Sequence, residues 1–533
     1  MDQQYDAIII GAGHNGLVAA ATLAQAGQKV LVVEQRDVLG GAAATEELFP
    51  GYKVNIGAHD AGLLQEEIVH ALFLKMHGLE LRESPVALFA PQPDGRALTL
   101  WRDRPPWPQE AQNTAEIARF SKHDAEQFPA YARQAARVAR VLRRMMLIPP
   151  PEPASRNVND LVGWGKVALQ LKGLGGQEMM EFMRILPMPA REYLDEWFES
   201  DALKGALGAA SVTGTMQGPR SAGTTLVMML MAANGQGGFR AGRFVHGGMG
   251  QLAAALAEAA RRDGAEIRTG TAVARVLLRD GQAAGVVLAG GEEIEARAVL
   301  SSADPRRTFL GLVGAPNLEP RFVRAVRNIK FRGSTAKMNL ALSGLPEFRG
   351  QTGPGQLSGH IVISPSLDYL ERAYDDAKYG RISEQPVLDI VIPTVLDHTL
   401  APEGRHILSI NMQFAPYHLR EGNWDEMREP LGDRIIETLA QYAPNIRSLL
   451  LHRQVMTPLD WERTLGLTEG SIFQGQMGLD QLLVMRPVPG WSRYRMPIAG
   501  LYLCGAGAHP GGGVTGLPGY HAARELLAAW KRP

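Results

Sequence analysis

A glycine-rich turn near the amino terminus constrains the fold of this chain more than any other feature. Residues 7–10 read Ala-Ile-Ile-Ile, an apolar run typical of a buried parallel strand. Residues 11–16 read Gly-Ala-Gly-His-Asn-Gly, and the alanine- and leucine-rich stretch after them predicts a helix that ends near Ala26. A second apolar run, residues 30–33, leads directly to Glu34. This order of strand, glycine turn, helix, strand and acid predicts a dinucleotide-binding unit.

Each residue type in the turn has a physical reason. Gly11 permits the tight turn, Gly13 lets the backbone approach a pyrophosphate, and Gly16 lets the helix pack closely on the strand. The phosphates would lie at the helix amino terminus, where free N–H groups and the helix dipole favour negative charge. His14 lies in this loop, where it either contacts the cofactor or only fills space. Glu34 follows at the spacing of an acid that binds a ribose hydroxyl.

Composition excludes several other classes of function. Lysine plus arginine (55) equals aspartate plus glutamate (55), so the chain lacks the basic excess typical of nucleic-acid-binding proteins, and no nucleic-acid partner is expected. The one cysteine, Cys504, rules out an intramolecular disulfide, a CxxC redox pair and a cysteine-rich zinc site, and we expect it to be structural. The 13 histidines lack the short spacings of metal ligands, so no metal is predicted.

The sequence carries no signal for secretion or membrane insertion. The amino terminus has no basic region followed by an apolar one, and the longest apolar run, residues 224–233, is too short to span a bilayer. We therefore expect a cytoplasmic protein. Arg133, Arg137, Arg140 and Arg144 fall on one helix face beside an apolar segment, which predicts either peripheral contact with anionic lipid or an ordinary salt-bridged surface.

The sequence around Glu34 resembles a known flavoprotein family. Its order of glycine motif, helix, acid, short spacer and the pair Gly40-Gly41 is similar to that of amine oxidases and bacterial-type phytoene desaturases. The resemblance implies that the dinucleotide is FAD, with the glycine pair near its pyrophosphate. Many members carry arginine after the pair, whereas this chain has Ala42. We therefore expect backbone N–H groups and the helix dipole to meet the phosphate charge.

A second glycine-rich segment lies near the carboxyl terminus. Residues 500–504 predict a strand, and the many glycines in 505–516 indicate backbone that passes close to a flat or anionic group. In the family this loop lies against the ribityl chain and the flavin ring, and the residue that matches Val273 holds the adenine through its backbone. The resemblance implies these cofactor contacts: Gly11, Gly13, His14, Asn15, Gly16, Glu34, Gln35, Gly40, Gly41, Ala42, Val273, Gly505, Ala506, Gly512, Gly513 and Val514.

The predicted fold class is α/β. A Rossmann-like FAD-binding domain of the glutathione-reductase and amine-oxidase type is predicted from three segments: 1–95, 236–312 and 485–533. A discontinuous α+β substrate domain is predicted from the two segments between them: 96–235, mainly helical, and 313–484, a sheet plus helices. The segments are interleaved because the two glycine-rich loops, which must meet at one cofactor, lie at opposite ends of the chain.

Two branches of the family share motifs with nearly the whole chain. They are the flavin-dependent carotenoid 4-ketolases and the group called pyridine nucleotide-disulfide oxidoreductase domain-containing protein 2, and the shared motifs include 196–198 and 477–481. One cysteine excludes a disulfide mechanism, and no second complete glycine motif follows a strand. We therefore expect electrons to leave the flavin to oxygen or a quinone. Asn55 lies where phytoene desaturases often carry an acid, so no charge is expected to act there.

The resemblance implies an FAD-dependent oxidoreductase that acts on an apolar, carotenoid- or isoprenoid-like substrate by desaturation, ketolation or isomerisation, with hydride transfer at flavin N5. An amine or other small-molecule oxidase on the same fold is one alternative, and a flavoprotein with an interaction or regulatory role is another. The catalytic side chain and the oligomeric state stay open. His509, between two glycine stretches, is the polar candidate for a base, and its alternative is a loop histidine bonded to backbone.

The substrate domain is expected to cover the flavin and to leave an elongated apolar channel that opens near residues 133–151. The apolar runs 387–392 and 407–410 lack clean alternation, which predicts strands buried on both faces. Met228 and Met412 are predicted to line the channel, because flexible methionines suit an apolar ligand. A small polar pocket with a buried carboxylate would instead favour an amine oxidase, and several unpaired charges would contradict a polyene substrate.

Overall fold

Two seven-stranded sheets organise the described part of the chain. The computed structural model describes residues 5–103, 106–151, 175–235 and 238–531, together with 162, 165 and 169. The strands are β1 Tyr5–Ile10, β2 Val30–Val33, β3 Thr45–Phe49, β4 Tyr52–Asn55, β5 Leu81–Glu83, β6 Val86–Pro91, β7 Ala97–Trp101, β8 Arg243–Val245, β9 Glu266–Arg268, β10 Val273–Arg279, β11 Gln282–Leu288, β12 Glu293–Ser301, β13 Thr335–Leu342, β14 His360–Ile363, β15 Val387–Val391, β16 His406–Gln413, β17 Leu450–Met456 and β18 Leu501–Leu503. The helices are α1 His14–Gln25, α2 Glu66–Ala71, α3 Glu110–Ala118, α4 Lys122–Met146, α5 Gly176–Ile185, α6 Ala190–Asp195, α7 Asp201–Gly208, α8 Thr224–Met231, α9 Gly250–Arg262, α10 Pro320–Arg327, α11 Leu367–Lys378, α12 Trp424–Tyr442, α13 Ile446–Leu449, α14 Pro458–Leu465 and α15 Leu517–Trp530.

The first sheet contains the predicted dinucleotide unit at its centre. β1 lies between β12 and β2, and all three strands are parallel, with Ile8 opposite Val299 on one side and Leu31 on the other. β9 and β18 extend the parallel part, and the antiparallel hairpin β10–β11 continues from β12. α1 packs against α9 and α15. The α/β fold class with a Rossmann-like sheet is therefore confirmed.

The second sheet has the strand order β17-β13-β16-β15-β14-β6-β7. β6 pairs parallel with β14, where His360 lies opposite Leu88, and β7 pairs with β6. The predicted boundary at residue 95 falls between these two strands, which both belong to the second sheet. The predicted limits at residues 1, 236 and 533 lie outside the described residues, and the remaining division stays a prediction.

The two faces of the second sheet differ in chemistry. One face packs against α12 and forms an apolar core with members from several strands: Ala336, Met338, Leu388, Ile390, Ile410 and Met412. The opposite face carries mostly polar side chains on the same strands: Thr335, Lys337, Asn339, Asp389, Ser409, Asn411 and Gln413. As predicted, the runs in β15 and β16 are covered on both faces. One of those faces is nevertheless polar, and it faces the pocket described below.

The basic helix face is α4. Arg133 lies 2.6 Å from Glu110 and Arg137 lies 3.5 Å from Glu178, whereas Arg140 is exposed and Arg144 is also at the surface. Two of the four arginines therefore take part in surface ion pairs, and lipid contact stays a prediction. None of the helices in the described ranges combines the length and the apolar composition that a membrane span requires.

Candidate functional site

A cavity of about 480 Å³ lies where β1 and β2 end, at the edge of the sheet where open α/β folds bind ligands. Its walls come from the glycine turn, the end of β2, the start of β10, and residues 302–312 and 465–474. Most of the predicted cofactor contacts line it: Gly11, Gly13, His14, Asn15, Glu34, Gln35, Gly41, Ala42, Val273 and Ala506. Residues far apart in sequence thus meet in one cavity, which we call the cofactor cavity.

The three glycines of the turn differ in what surrounds them. A Cβ on Gly16 would lie 2.1 Å from the Gly11 carbonyl oxygen, so Gly16 is needed for the contact between strand and helix. Gly11 has φ +92° and a Cβ there would lie 2.5 Å from the Ser302 hydroxyl. A Cβ on Gly13 would meet nothing within 4 Å, because it would point into the cofactor cavity. Only Gly13 therefore leaves room for a ligand rather than for protein.

Glu34 is buried at the end of β2, and both its oxygens accept backbone hydrogen bonds. Oε2 accepts from the Ala12 amide at 2.7 Å, and Oε1 accepts from the Arg36 amide at 2.9 Å. These bonds hold the carboxylate at the cavity wall and tie the end of β2 to the glycine turn. Each oxygen retains a further lone pair that could accept a hydrogen bond from a ribose hydroxyl. The ribose contact stays a prediction.

Several polar atoms in the wall of the cofactor cavity have no hydrogen-bond partner among the described residues. Such atoms suit a ligand that forms hydrogen bonds and carries negative charge. His14 Nε2, Asn15 Oδ1 and Arg36 Nη1 are buried without a hydrogen bond among the described residues. Burial lowers the pKa of His14 to about 4, so its ring is neutral at pH 7 and lies near the Gly513 backbone. Arg36 and Arg307 both line the cavity. Arg36 is already paired with Glu46, whereas Arg307 is a second cation at the cavity wall that was not predicted. How the phosphate charge is met stays a prediction.

The carboxyl-terminal loop is glycine-rich for a reason that the sequence did not reveal. The remaining predicted contacts are outside the cavity wall: Gly16, Gly40, Gly505, Gly512, Gly513 and Val514. A Cβ on Gly512 would lie 2.2 Å from the Phe473 ring, and one on Gly513 would lie 2.5 Å from Leu63. These glycines are therefore needed for close packing of the loop against protein. Their contact with a cofactor stays a prediction.

Arg486 binds the backbone of the same loop through hydrogen bonds from its buried side chain. Its guanidinium is fully buried and donates to backbone carbonyls of two segments, among them Phe473 at 2.6 Å and Ala506 at 2.7 Å. Burial lowers the pKa of Arg486 to about 9, so it remains charged at pH 7. Gln474 and Ala506 line the cofactor cavity, so this one side chain holds two parts of its wall together.

His509, the candidate base, does not line the cofactor cavity. It is buried near His521 and the Tyr494 side chain, and the described residues that line either cavity do not include it. Burial and the neighbouring His521 lower the pKa of His509 to about 3, so the ring is neutral. The role of His509 as a base therefore has no support from its position, and both of its alternatives stay predictions.

A second pocket, of about 100 Å³, lies against the polar face of the second sheet. It shares Ile472 with the cofactor cavity, so the two spaces adjoin. Met228 lines it as predicted, but Met412 does not, because Met412 points to the opposite face of β16. Of α4, only Tyr131 reaches this pocket, so the predicted opening near residues 133–151 is not supported. We call this space the substrate pocket.

The substrate pocket has two unlike walls. Its roof is apolar and comes largely from helices and the segment after α8: Ala206, Leu207, Ala209, Ala210, Met228 and Phe239. Its floor includes polar side chains of the sheet and one arginine: Thr335, His360, Asp389, Asn411, Gln413 and Arg240. The floor also includes apolar residues of the same sheet: Ala87, Leu88, Val362, Val387 and Leu388. The lining is therefore mostly apolar, as predicted, but the floor carries a polar patch that was not predicted.

An ionic cluster at one end of the floor joins two carboxylates to two cations. The His360 ring lies 2.7 Å from Asp389 and 3.2 Å from Asp60, and Arg240 lies 3.0 Å from Asp60 and 3.1 Å from Asp389. Although burial opposes ionisation, Arg240 and His360 hold the pKa of both carboxyls below their usual range. Burial lowers the pKa of His360, but the nearby Asp389 carboxylate helps to raise it, and the net shift is upward. When His360 is protonated, as its raised pKa favours, the two cations and the two carboxylates balance.

Lys337 and His59 continue this network toward the first sheet. Lys337 Nζ donates to the Gly57 carbonyl at 2.9 Å and lies 3.3 Å from His59 Nδ1. Burial lowers the pKa of Lys337 to about 7, and burial together with Lys337 keeps the pKa of His59 well below its usual value. Neither side chain reaches the wall of either cavity. They belong to the support of the floor rather than to its surface.

The sequence contains a signal for this polar face. Residues 335–340 read Thr-Ala-Lys-Met-Asn-Leu and residues 409–413 read Ser-Ile-Asn-Met-Gln, which is strict alternation of polar and apolar types. Alternation ordinarily predicts one solvent-exposed face. Because that polar face is buried here, alternation in a central strand points to a lined cavity. Asp60, Arg240 and His360 had no such signal.

The fold and the paired cavities define a flavin-containing oxidoreductase, and comparison with known proteins supports this. The model of the flavin-containing amine oxidoreductase family matches residues 16–527, so the chain belongs to that family. A Rattus norvegicus protein called pyridine nucleotide-disulfide oxidoreductase domain-containing protein 2 is 38% identical over 98% of this chain and 93% of its own length. This confirms the predicted family and one of its predicted branches.

Other relatives have narrower names. One of the subunits of limonene dehydrogenase from Castellaniella defragrans is 28% identical over 98% of this chain and 94% of its own length. The solved structure of cyclohexylamine oxidase from Brevibacterium oxydans superimposes with a TM-score of 0.59 at 16% identity and covers 99% of this chain and 100% of that one. At that identity the likeness concerns the fold, and it confirms an amine-oxidase-type architecture.

Proposed function

We propose that this protein is an FAD-dependent oxidoreductase that desaturates, ketolates or isomerises an isoprenoid-like substrate. The observation that carries the proposal is the substrate pocket, which adjoins the cofactor cavity at Ile472 and has an apolar roof. A hydrocarbon skeleton against that roof would lie beside a cofactor bound in the next cavity. Burial of apolar surface would supply the affinity, at roughly 25 cal/mol per Å².

FAD is the proposed cofactor because the cavity combines a dinucleotide turn with unpartnered polar atoms. When bound, FAD would accept a hydride from the substrate. The open space at Gly13 would receive the diphosphate, Arg307 would add positive charge, and Glu34 would face a ribose. With no second complete glycine motif in the sequence, oxygen or a quinone is the proposed electron acceptor.

The name of one relative supports this substrate class. Limonene, which appears in the name of the Castellaniella protein, is an isoprenoid hydrocarbon with no charged group. The substrate pocket of this chain has the apolar roof that such a molecule requires. The resemblance to carotenoid-modifying flavoproteins points to the same class of compound.

The charge balance of the pocket floor argues against the amine-oxidase alternative. A buried carboxylate, Asp389, does line the pocket, as an amine site would require. It is already paired with Arg240 and His360. A cationic amine would therefore meet no uncompensated negative charge and would lose its hydration.

Anaerobic reduction of the bound flavin tests the proposal. Purified full-length protein should carry FAD, and isoprenoids such as limonene should bleach its visible absorbance, whereas cyclohexylamine should not. Gly13→Val should abolish FAD binding, because its side chain would enter the cofactor cavity. Gly290→Val is the matched control, since Gly290 also meets nothing within 4 Å but lies in an exposed hairpin turn. Reduction by the amine and by no isoprenoid would overturn the proposal.

A further inference from the structure

The side chain of Asn411 lies on the floor of the substrate pocket with no hydrogen-bond partner for its carbonyl oxygen. Asn411 belongs to β16, where it is flanked by Lys337 of β13 and Asp389 of β15. It lines the pocket, and its Oδ1 is buried without a hydrogen bond in the part of the chain that the structure describes. Because strands hold it on both sides, it cannot turn to solvent. Its amide therefore faces the space where a substrate would bind.

An unpaired amide on a pocket floor discriminates among ligands. A ligand that is hydrocarbon throughout would exclude water from Asn411 and give nothing in return, which is unfavourable for a polar group. The unpaired atom of Asn411 is its Oδ1, which accepts hydrogen bonds, so a ligand hydroxyl would satisfy it by donating. A ligand carbonyl could bond only to the Asn411 amide N–H group.

The neighbouring charges restrict this oxygen group to a neutral one. Asp60 and Asp389 are balanced by Arg240 and His360, so the floor offers no excess charge of either sign at that end. A carboxylate would approach Asp389, and an ammonium group would approach Arg240, and each would be repelled at short range. A hydroxyl or a carbonyl would avoid both costs.

We propose that the preferred substrate is an isoprenoid-like molecule that carries a neutral oxygen group, and that Asn411 binds this group. The inference rests on the proposed function. It adds which chemical group of the substrate the polar floor would recognise. The apolar roof would hold the hydrocarbon skeleton, while Asn411 would fix its position along the floor. Thr335 and Gln413 lie one step further along the same sheet face and extend the polar surface.

Binding of a matched set of ligands tests this. Limonene, carveol and perillyl alcohol share one skeleton, and the two alcohols each add one hydroxyl at a different position. Their dissociation constants can be measured on the flavin-loaded full-length protein from the shift in flavin absorbance. At least one alcohol should bind about three- to tenfold more tightly than limonene, the effect of one hydrogen bond.

Two variants assign the effect to Asn411. Asn411→Leu keeps the size of the side chain and removes both polar atoms, so the advantage of the alcohol should disappear while limonene binds at least as well. Met412→Leu is the matched control, because Met412 is the next residue on β16 but points into the apolar core, and the preference should stay.

The possible outcomes separate the two proposals. Equal affinity of limonene and both alcohols for the unaltered protein overturns the oxygen-group inference, even if Asn411→Leu fails to fold, and leaves the proposed function standing. A preference for the alcohol that survives in a folded Asn411→Leu protein overturns the role of Asn411. If none of the three ligands binds and cyclohexylamine reduces the flavin, the proposed function fails and the inference with it.

Discussion

The two faces of the second sheet show how differently a protein uses buried surface. The face toward α12 carries Met338 and Ile410 in an apolar core, whereas the face toward the substrate pocket carries Lys337 and Asn411 on the same two strands. Adjacent residues of β13 and β16 therefore belong to different environments. Burial alone does not distinguish them, because both faces are covered. What distinguishes them is whether the layer above fills the space or leaves a cavity.

The energetic roles of the faces should differ accordingly. The apolar face contributes stability through burial and close packing. The polar face contains charges and amides whose removal from water is costly, so each has to be paired to be tolerated. We therefore expect the polar face to be sensitive to loss of a partner and the apolar face to loss of volume. Three predictions test this contrast.

The largest effect is expected from Asp60→Ala. Asp60 is buried between Arg240 and His360, so its loss leaves two buried cations with one carboxylate. The free energy of unfolding should fall by about 3–5 kcal/mol, measured by urea denaturation. Asp94→Ala is the control, since Asp94 pairs with Arg96 in an exposed ion pair and should cost less than about 1 kcal/mol. Equal losses would show that the cluster is not an interdependent unit.

A smaller loss is expected from Ile410→Ala on the apolar face. The substitution leaves a cavity beneath α12 and should lower the free energy of unfolding by about 2–5 kcal/mol. It should leave ligand affinity unchanged, because Ile410 points away from the substrate pocket. Ile410→Val should cost about 0.5–1.5 kcal/mol by the same mechanism. A large change in ligand affinity with either variant would mean that the faces are not separate in function.

The effect expected from Lys337→Met differs from the other two because it depends on pH. Burial lowers the pKa of Lys337 to about 7, below its value in the unfolded chain, so the unfolded state binds more protons between pH 7 and about 10.5. The stability of the unaltered protein should therefore gain about 1.4 kcal/mol per pH unit through this window from Lys337, and lose that gain as the pH falls to 7. The methionine variant should lack this gain.

Denaturation curves at several pH values between about 7 and 9.5 measure that difference across most of the window. Lys29→Met is a suitable control, because Lys29 is exposed and its ammonium group lies over the Tyr5 ring, outside the buried network. Parallel pH profiles for Lys337→Met and the unaltered protein would contradict the expected burial of a neutral lysine.

Local sequence determined the dinucleotide fold and much of the cofactor cavity. The apolar run of β1, the glycine turn and Glu34 lie within about thirty residues, and each follows from backbone geometry: a tight turn, a close approach and a strand end. The helix predicted to end near Ala26 ends at Gln25, with Gly27 in the left-handed region at φ +78°. Val273 and Ala506 were placed correctly at the cavity only through resemblance to a family, because no local rule joins them to the turn.

Tertiary structure alone decided the substrate pocket. Its floor and the ionic cluster beside it assemble Asp60, Arg240, His360, Asp389 and Asn411 from five separate segments, and their pairing depends on which strands meet in the second sheet. The sequence specifies each charge, but a charge becomes a paired, pKa-shifted group only when a partner from a distant segment arrives within about 3 Å in a site from which water is excluded. Patterns of period two or four contain no information on such partners, because they describe one segment at a time.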